Sequence, residues 1–130
     1  VKLFGGLCLK KILFILLGIA LLPLVAGFSE NDVSVDSSVS LNQDQILNVV
    51  IENNSLEDKE LEIDLIGPKG LFYNFESVPE EIESGEKAVV RMELYRSNEL
   101  EGASYQSTLI VKLDEEIVMK KIRISVSNFV

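Results

Sequence analysis

The sequence predicts an all-β protein: a seven-stranded antiparallel β-sandwich preceded by an N-terminal hydrophobic signal helix. Three observations carry this. Apolar and polar residues alternate with period two in run after run along residues 32–130, as strands with one dry and one wet face do. The four glycines beyond residue 27 (Gly67, Gly70, Gly85 and Gly102) fall between those runs, and neither Pro68 nor Pro79 interrupts one. Residues 12–28 form a 17-residue stretch without a charge, directly after Lys10 and Lys11.

That first stretch sets the domain organisation. Residues 1–27 hold three Lys and no acid, whereas residues 28–130 hold nine basic against all 21 acidic residues, a formal charge of −12. A basic start, an apolar run and small residues at Ala26, Gly27 and Ser29 describe a secretory signal peptide. Cleavage is expected after Gly27, with the bond after Ser29 as the alternative. The competing reading is a retained N-terminal membrane anchor, for which 17 residues are short and Pro23 disturbs a straight helix. Cys8 precedes the apolar run, where a lipid-modified Cys would have to follow it. The expected division is residues 1–27 as signal peptide or anchor and 28–130 as the folded domain, exported and either secreted or held at the cell envelope.

The strands follow in order. Val33 and Val35, then Val39 and Leu41, form a first strand broken at Asp36-Ser37-Ser38. Leu47, Val49 and Ile51 form the second, closed by the turn residues Asn53-Asn54-Ser55. Leu61, Ile63 and Leu65 alternate with Glu60, Glu62 and Asp64, the cleanest half-buried pattern in the chain, and Gly67-Pro68-Lys69-Gly70 ends it. Leu71-Phe72-Tyr73-Asn74-Phe75 reads as a short aromatic strand. A polar connection over 76–87 leads to Ala88, Val90, Met92 and Leu94. Beyond the Ser97–Ser104 loop come Tyr105, Ser107, Leu109, Val111 and Leu113; the tight turn Asp114-Glu115-Glu116 leads to Val118, Ile122, Ile124 and Val126. Each strand's apolar face needs a partner sheet. The first strand (Val33 to Leu41) and the last (Val118 to Val126) are the candidate edges, where an exposed backbone can take an added strand.

Three segments resemble prokaryotic immunoglobulin-like surface domains. Ile82 to Leu94 is similar to their "x-S/P-G-E-x-x-x-V-x-V-x-L" stretch, with Ser84-Gly85-Glu86 at the turn. Leu100 to Val111 resembles the following "G-x-Y-x-x-x-L-x-V" element through Gly102 and Tyr105. Val49-Val50-Ile51-Glu52-Asn53-Asn54 resembles "V-x-V-x-N-x-G", without the final Gly. This is the pattern of CARDB-like and α-galactosidase-associated adhesion modules, and it covers residues 32–127. The resemblance implies an immunoglobulin-like sandwich and a structural tyrosine corner at Tyr105, whose hydroxyl would bond back to the preceding corner. It supplies no catalytic residue. The Cys and Trp markers of antibody domains are absent.

Composition narrows the chemistry. There is no His, no Trp and one Cys, so the usual general base, an internal disulfide and thiolate zinc ligation are all out of reach. No catalytic residue, metal site or cofactor is expected. The clusters Glu80-Glu81-Ile82-Glu83 and Asp114-Glu115-Glu116 lack the alternating Asp/Asn and Gly of a calcium loop and read as solvated turns. Glu60, Glu62 and Asp64 read as a wet strand face. Asn53-Asn54-Ser55 is an N-x-S/T sequon, which makes Asn53 a candidate glycan acceptor. Phe72, Tyr73 and Phe75 are a candidate ligand platform. The −12 charge opposes binding to nucleic acid, and Lys120, Lys121 and Arg123 are too few to reverse that. The reading is a non-enzymatic module for adhesion, envelope structure or protein contact, its partner a protein or glycan at the cell surface. The membrane is met only through the N-terminal segment. The alternative is a carbohydrate- or small-ligand-binding accessory domain.

Overall fold

The computed structural model describes residues 2–3, 5–6 and 27–127. The expected leader helix and Cys8 lie outside the described residues. Two-residue strands β1 (Lys2–Leu3) and β2 (Gly5–Gly6) pair with each other in a sheet of their own. A 3₁₀ turn at Glu30–Asp32 opens that domain. Nine strands follow: β3 (Val33–Ser34), β4 (Ser38–Leu41), β5 (Asp44–Glu52), β6 (Lys59–Ile66), β7 (Leu71–Glu76), β8 (Glu81–Ile82), β9 (Lys87–Arg96), β10 (Ala103–Leu113) and β11 (Glu116–Val126).

They form two sheets. One has the order β4-β11-β10-β6-β8 and the other β3-β5-β9-β7. All neighbours are antiparallel except β4 and β11, which run parallel from Ser38↔Arg123 to Leu41↔Val126. In immunoglobulin lettering the second sheet reads A-B-E-D, and β11, β10 and β6 read G-F-C. The fold is therefore an immunoglobulin-like β-sandwich.

The alternation seen in the sequence becomes the core. Leu47, Val49 and Ile51 of β5 and Val90, Met92 and Leu94 of β9 face Leu109, Val111 and Leu113 of β10 and Val118, Ile122 and Ile124 of β11 in one continuous apolar cluster. Met92, Leu94, Leu109 and Ile122 are fully buried. Each such side chain contributes about 1.5–3 kcal/mol of transfer free energy, so the pattern itself holds the layers together.

The structure departs from the seven-strand expectation in two places. The first strand is two: β3 pairs with β5 through Val33↔Ile51, and β4 pairs with β11 in the other sheet. The polar Asp36-Ser37 step carries the chain from one layer to the other, and the Ser37 carbonyl accepts from the Arg123 N–H at 2.8 Å. Both ends bury an apolar anchor, Val33 and Val39. The second departure is β8, within the segment expected to be a plain connection. Its Ile82 is buried, and it pairs with Lys59 and Glu60 of β6.

The edge assignment changes with the topology. The last strand, expected as an edge from Val118 to Val126, is interior: β10 covers one side along its whole length, and β4 covers Arg123–Val126 on the other. The edges of the sandwich are β3, β4, β7 and β8. Alternation shows which face of a strand is dry, but not which strand lies beside it.

The loop ends are fastened by polar side chains. Asp114, with φ of 54°, starts the two-residue β10–β11 turn; its carboxylate accepts from the Glu60 N–H at 2.7 Å and lies 3.6 Å from the Lys59 ammonium. At the opposite end the Arg96 guanidinium donates to the carbonyls of Leu100 (2.7 Å), Asn42 (3.3 Å) and Ser127. One side chain thus ties the β4–β5 turn, the β9–β10 loop and the end of β11.

Candidate contact surfaces

Asn53, the sequon residue, is a buried structural amide with 1% of its surface exposed. Its Nδ2 donates to the carbonyls of Glu57 (2.8 Å) and Ile82 (2.7 Å), and its Oδ1 accepts from the Ser55 N–H (3.0 Å) and hydroxyl (2.6 Å). Both amide protons are engaged inside the fold. The tripeptide that spells a sequon folds instead into an Asx-type turn, with Ser55 closing it.

Tyr105 opens β10, the F strand. Its hydroxyl donates to the Glu101 carbonyl at 2.8 Å, four residues upstream, while its ring packs on the core. This is the geometry of a tyrosine corner.

The three aromatic residues of β7 do not share a face. Phe72 points outward with 58% of its surface exposed. Tyr73 and Phe75 meet edge to face, with centroids 5.6 Å apart, on the side turned toward the other sheet. The Tyr73 hydroxyl donates to Asp64 Oδ1 of β6 at 2.6 Å, bridging the sheets. That bond to a carboxylate, with help from burial, raises the Tyr73 pKa above the ordinary tyrosine value. Sequence spacing places neighbours of a strand on opposite faces, and Phe72 and Tyr73 are neighbours.

The residue beside Phe72 on the outer face is Tyr95 of β9, its direct cross-strand partner. Sequence reading missed this pair because it spans two strands. The Tyr95 hydroxyl donates to the Glu93 carboxylate. That bond raises the Tyr95 hydroxyl and, with the Arg91 charge, holds the Glu93 carboxyl below the usual carboxylate range. Arg91 lies 3.4 Å from Glu76 and 3.8 Å from Glu93. The outer face of the four-stranded sheet is therefore a polar network flanked by Phe72, Tyr95 and the exposed Ile46.

The outer face of the five-stranded sheet also exposes apolar side chains. Ile110 pairs across strands with Met119, and Lys112 with Ile117. Ile66, Ile117 and Met119 are 60%, 54% and 57% exposed. Lys121 and Arg123 continue the β11 face beyond them, and a shallow groove runs between Glu62, Ile63, Asp64, Ile110, Lys112 and Ile117. The acidic clusters are dispersed: Glu80, Glu81 and Glu83 are exposed, and Asp114 is engaged in its turn. Among the described residues no group of three or more His, Cys, Asp or Glu is placed to hold a metal ion. No helix among them is long and apolar enough to cross a membrane.

Strand order, sheet-switching A strand and tyrosine corner define an immunoglobulin-like domain. Solved structures share that architecture. The chain is similar to the FixG-related protein from Vibrio parahaemolyticus, with a TM-score of 0.57 and 17% identity over 72% of this chain and 92% of that one. It is similar to the PapD-like domain 7 of human CEP192, with a TM-score of 0.52 and 10% identity over 75% and 85%. It is also similar to the cupredoxin domain of amoB from Nitrosocaldus yellowstonii, with a TM-score of 0.52 and 13% identity over 66% and 57%. At these identities the likeness is one of fold. No protein-family model matches the chain, and no curated protein does.

Proposed function

We propose that this chain is an exported, non-enzymatic immunoglobulin-like module that works by contact with another protein at the cell surface or envelope. The supporting observation is the outer face of the five-stranded sheet. Ile117 and Met119 leave more than half of their surface in water, beside Ile110, and grouped exposed apolar side chains mark interaction sites. Export is supported by the charge-free run after Lys10-Lys11. A CARDB-like affiliation is supported by the motif positions: the motif Asn falls on Asn53 and its Tyr on Tyr105, and both hold corners of the sandwich. Adhesion and envelope assembly are the two roles such a module serves.

A photo-crosslinking residue at Met119, expressed in the native cell, tests this. A discrete protein adduct from Met119, absent from a control at Asn98, is the expected result. Absence of adducts from Met119, Ile117 and Phe72 alike overturns the reading.

The alternative is carbohydrate binding, which the exposed Phe72–Tyr95 pair favours. Two aromatic rings beside the Glu93 carboxylate offer a sugar both an apolar face and hydrogen-bond acceptors. Glycan-array binding by the intact chain, lost on replacing those two rings, would install this reading in place of the first.

A further inference from the structure

We propose that β7, the D strand, is the edge at which this domain accepts an added strand from a basic, extended segment of a partner protein. The inference rests on the protein-contact reading and adds a second, backbone-mediated surface to it. The sandwich exposes its backbone at several places, and most are guarded. β3 and β8 have two residues each, and β4 has four, too short to template much pairing. The half of β11 that β4 leaves uncovered carries Lys120 and Lys121, with the Lys120 side chain half-buried on the core side opposite Leu109. Lysines on an open edge are a usual barrier to strand addition. The uncovered start of β5 carries Asp44, and the part of β6 that β8 leaves open carries Glu62 and Asp64.

β7 is the longest of the four edge strands. It has six residues, Leu71 to Glu76, and no charge before the last. It pairs only with β9, and among the described residues no backbone group of Phe72–Glu76 has a partner on the other side. Left-handed residues bracket it, Gly70 with φ of 94° and Ser77 with φ of 59°, so the open segment begins and ends sharply. An incoming strand would lie in the plane of this sheet. Its inward side chains would stand beside Tyr73 and Phe75, and its outward ones beside Phe72 and Asn74, which asks for apolar residues at alternate positions.

Charge selects the occupant. Asp64 reaches this flank through its bond to Tyr73, and Glu76 closes the strand. Glu80 and Glu81 lie on the adjoining β8 segment. Of the basic groups around it, Lys69 lies 4.0 Å from Glu99, Arg91 3.4 Å from Glu76 and Lys59 3.6 Å from Asp114. A second copy of the chain would bring carboxylates against carboxylates. A segment alternating apolar residues with Lys or Arg meets both the backbone and the field.

Amide hydrogen exchange on the full chain in detergent micelles tests this. The probes are a peptide of about eight residues, an ordinary strand length, alternating valine or threonine with lysine, the same peptide N-methylated along one edge, and a glutamate counterpart. The lysine peptide should slow exchange at alternate amides of 71–76 by about tenfold or more. The N-methylated and glutamate peptides should not. Asn74→Lys, at an exposed site, should abolish the effect, while Asn98→Lys, with the same charge change, should keep it. No slowing at 71–76, slowing at β4 or β11 instead, or equal slowing by the glutamate or N-methylated peptide overturns the proposal. A Met119 adduct in cells together with unprotected β7 amides would reject this edge and leave the contact reading standing.

Discussion

The side-chain amide of Asn53 donates to the Ile82 carbonyl at 2.7 Å, across 29 residues of chain. With its bond to Glu57, it joins the end of β5, the β5–β6 turn and β8. The same end is tied by two backbone bonds, from the Asn53 N–H to Glu86 and from the Gly85 N–H to Asn53. Removing this amide strands several buried polar groups at once. Asn53→Ala should destabilise the domain by about 2–4 kcal/mol, read as a lower urea midpoint. Asn53→Asp should also destabilise it, because a carboxylate has no donor for Glu57 and Ile82. Unchanged midpoints would show that the amide is not a fastening.

The corner at Tyr105 makes a smaller prediction. Tyr105→Phe keeps the ring on the core and removes only the bond to Glu101, so it should cost about 1 kcal/mol. Tyr105→Ala should cost more, since the ring packs on the apolar cluster. Equal losses from the two variants in denaturant melts would place all of the effect in the hydroxyl's bond and none in packing.

Two glycines in the left-handed region separate strain from crowding. A Cβ at Gly70, where φ is 94°, would lie 3.1 Å from the Leu100 amide nitrogen; at Gly85, where φ is 78°, it would meet nothing within 4 Å. Gly85→Ala should cost about 1 kcal/mol from backbone strain alone. Gly70→Ala should cost more, because Leu100 is buried and its backbone cannot easily yield. Thermal melts of the pair decide it.

The Tyr73–Asp64 bond gives an alkaline signature. The Tyr73 hydroxyl titrates above the ordinary tyrosine value, first because it donates to Asp64 and then because of burial. A folded pKa raised in this way means that the neutral form is favoured by folding. The contribution is whole below the unfolded tyrosine pKa and is lost as pH rises through the higher folded one. Asp64→Asn should move the Tyr73 titration back toward the ordinary value, followed by ring NMR shifts or ultraviolet absorbance. An unmoved titration would mean that the carboxylate is not the cause.

The acid side has its counterpart in Glu93. The hydroxyl of Tyr95 and the charge of Arg91 depress its pKa. The favourable contribution is present above the unfolded glutamate pKa and disappears as pH falls through the lower folded one. Tyr95→Phe should shift the Glu93 titration upward without unfolding the domain. A titration unchanged in that variant would assign the depression to Arg91.

The parts of the fold legible in the sequence are those written in alternation. Val90, Met92 and Leu94, or Leu109, Val111 and Leu113, declare their dry face without reference to anything distant. What depends on a neighbour is not written there. Asp36-Ser37-Ser38 is visible as a break, but changing sheet across it depends on where β5 and β11 lie. β8 holds one buried side chain, Ile82, too little to show a period. Asn53 looks like a surface turn residue because its acceptors, Glu57 and Ile82, come later in the chain. Tyr105 was legible through its motif, and its corner is local. The contact surfaces were least legible: Phe72 meets Tyr95 and Ile110 meets Met119 only once the strands are in register.

The parallel pairing of β4 with β11 has a mechanical consequence. These strands are far apart in the sequence, yet Ser38–Leu41 runs alongside Arg123–Val126. A pull exerted through the chain on either side would slide the two strands past one another, loading their cross-links together instead of peeling them apart singly. A tethered unit built this way yields late and all at once, a useful trait in anything that must hold while its surroundings tug.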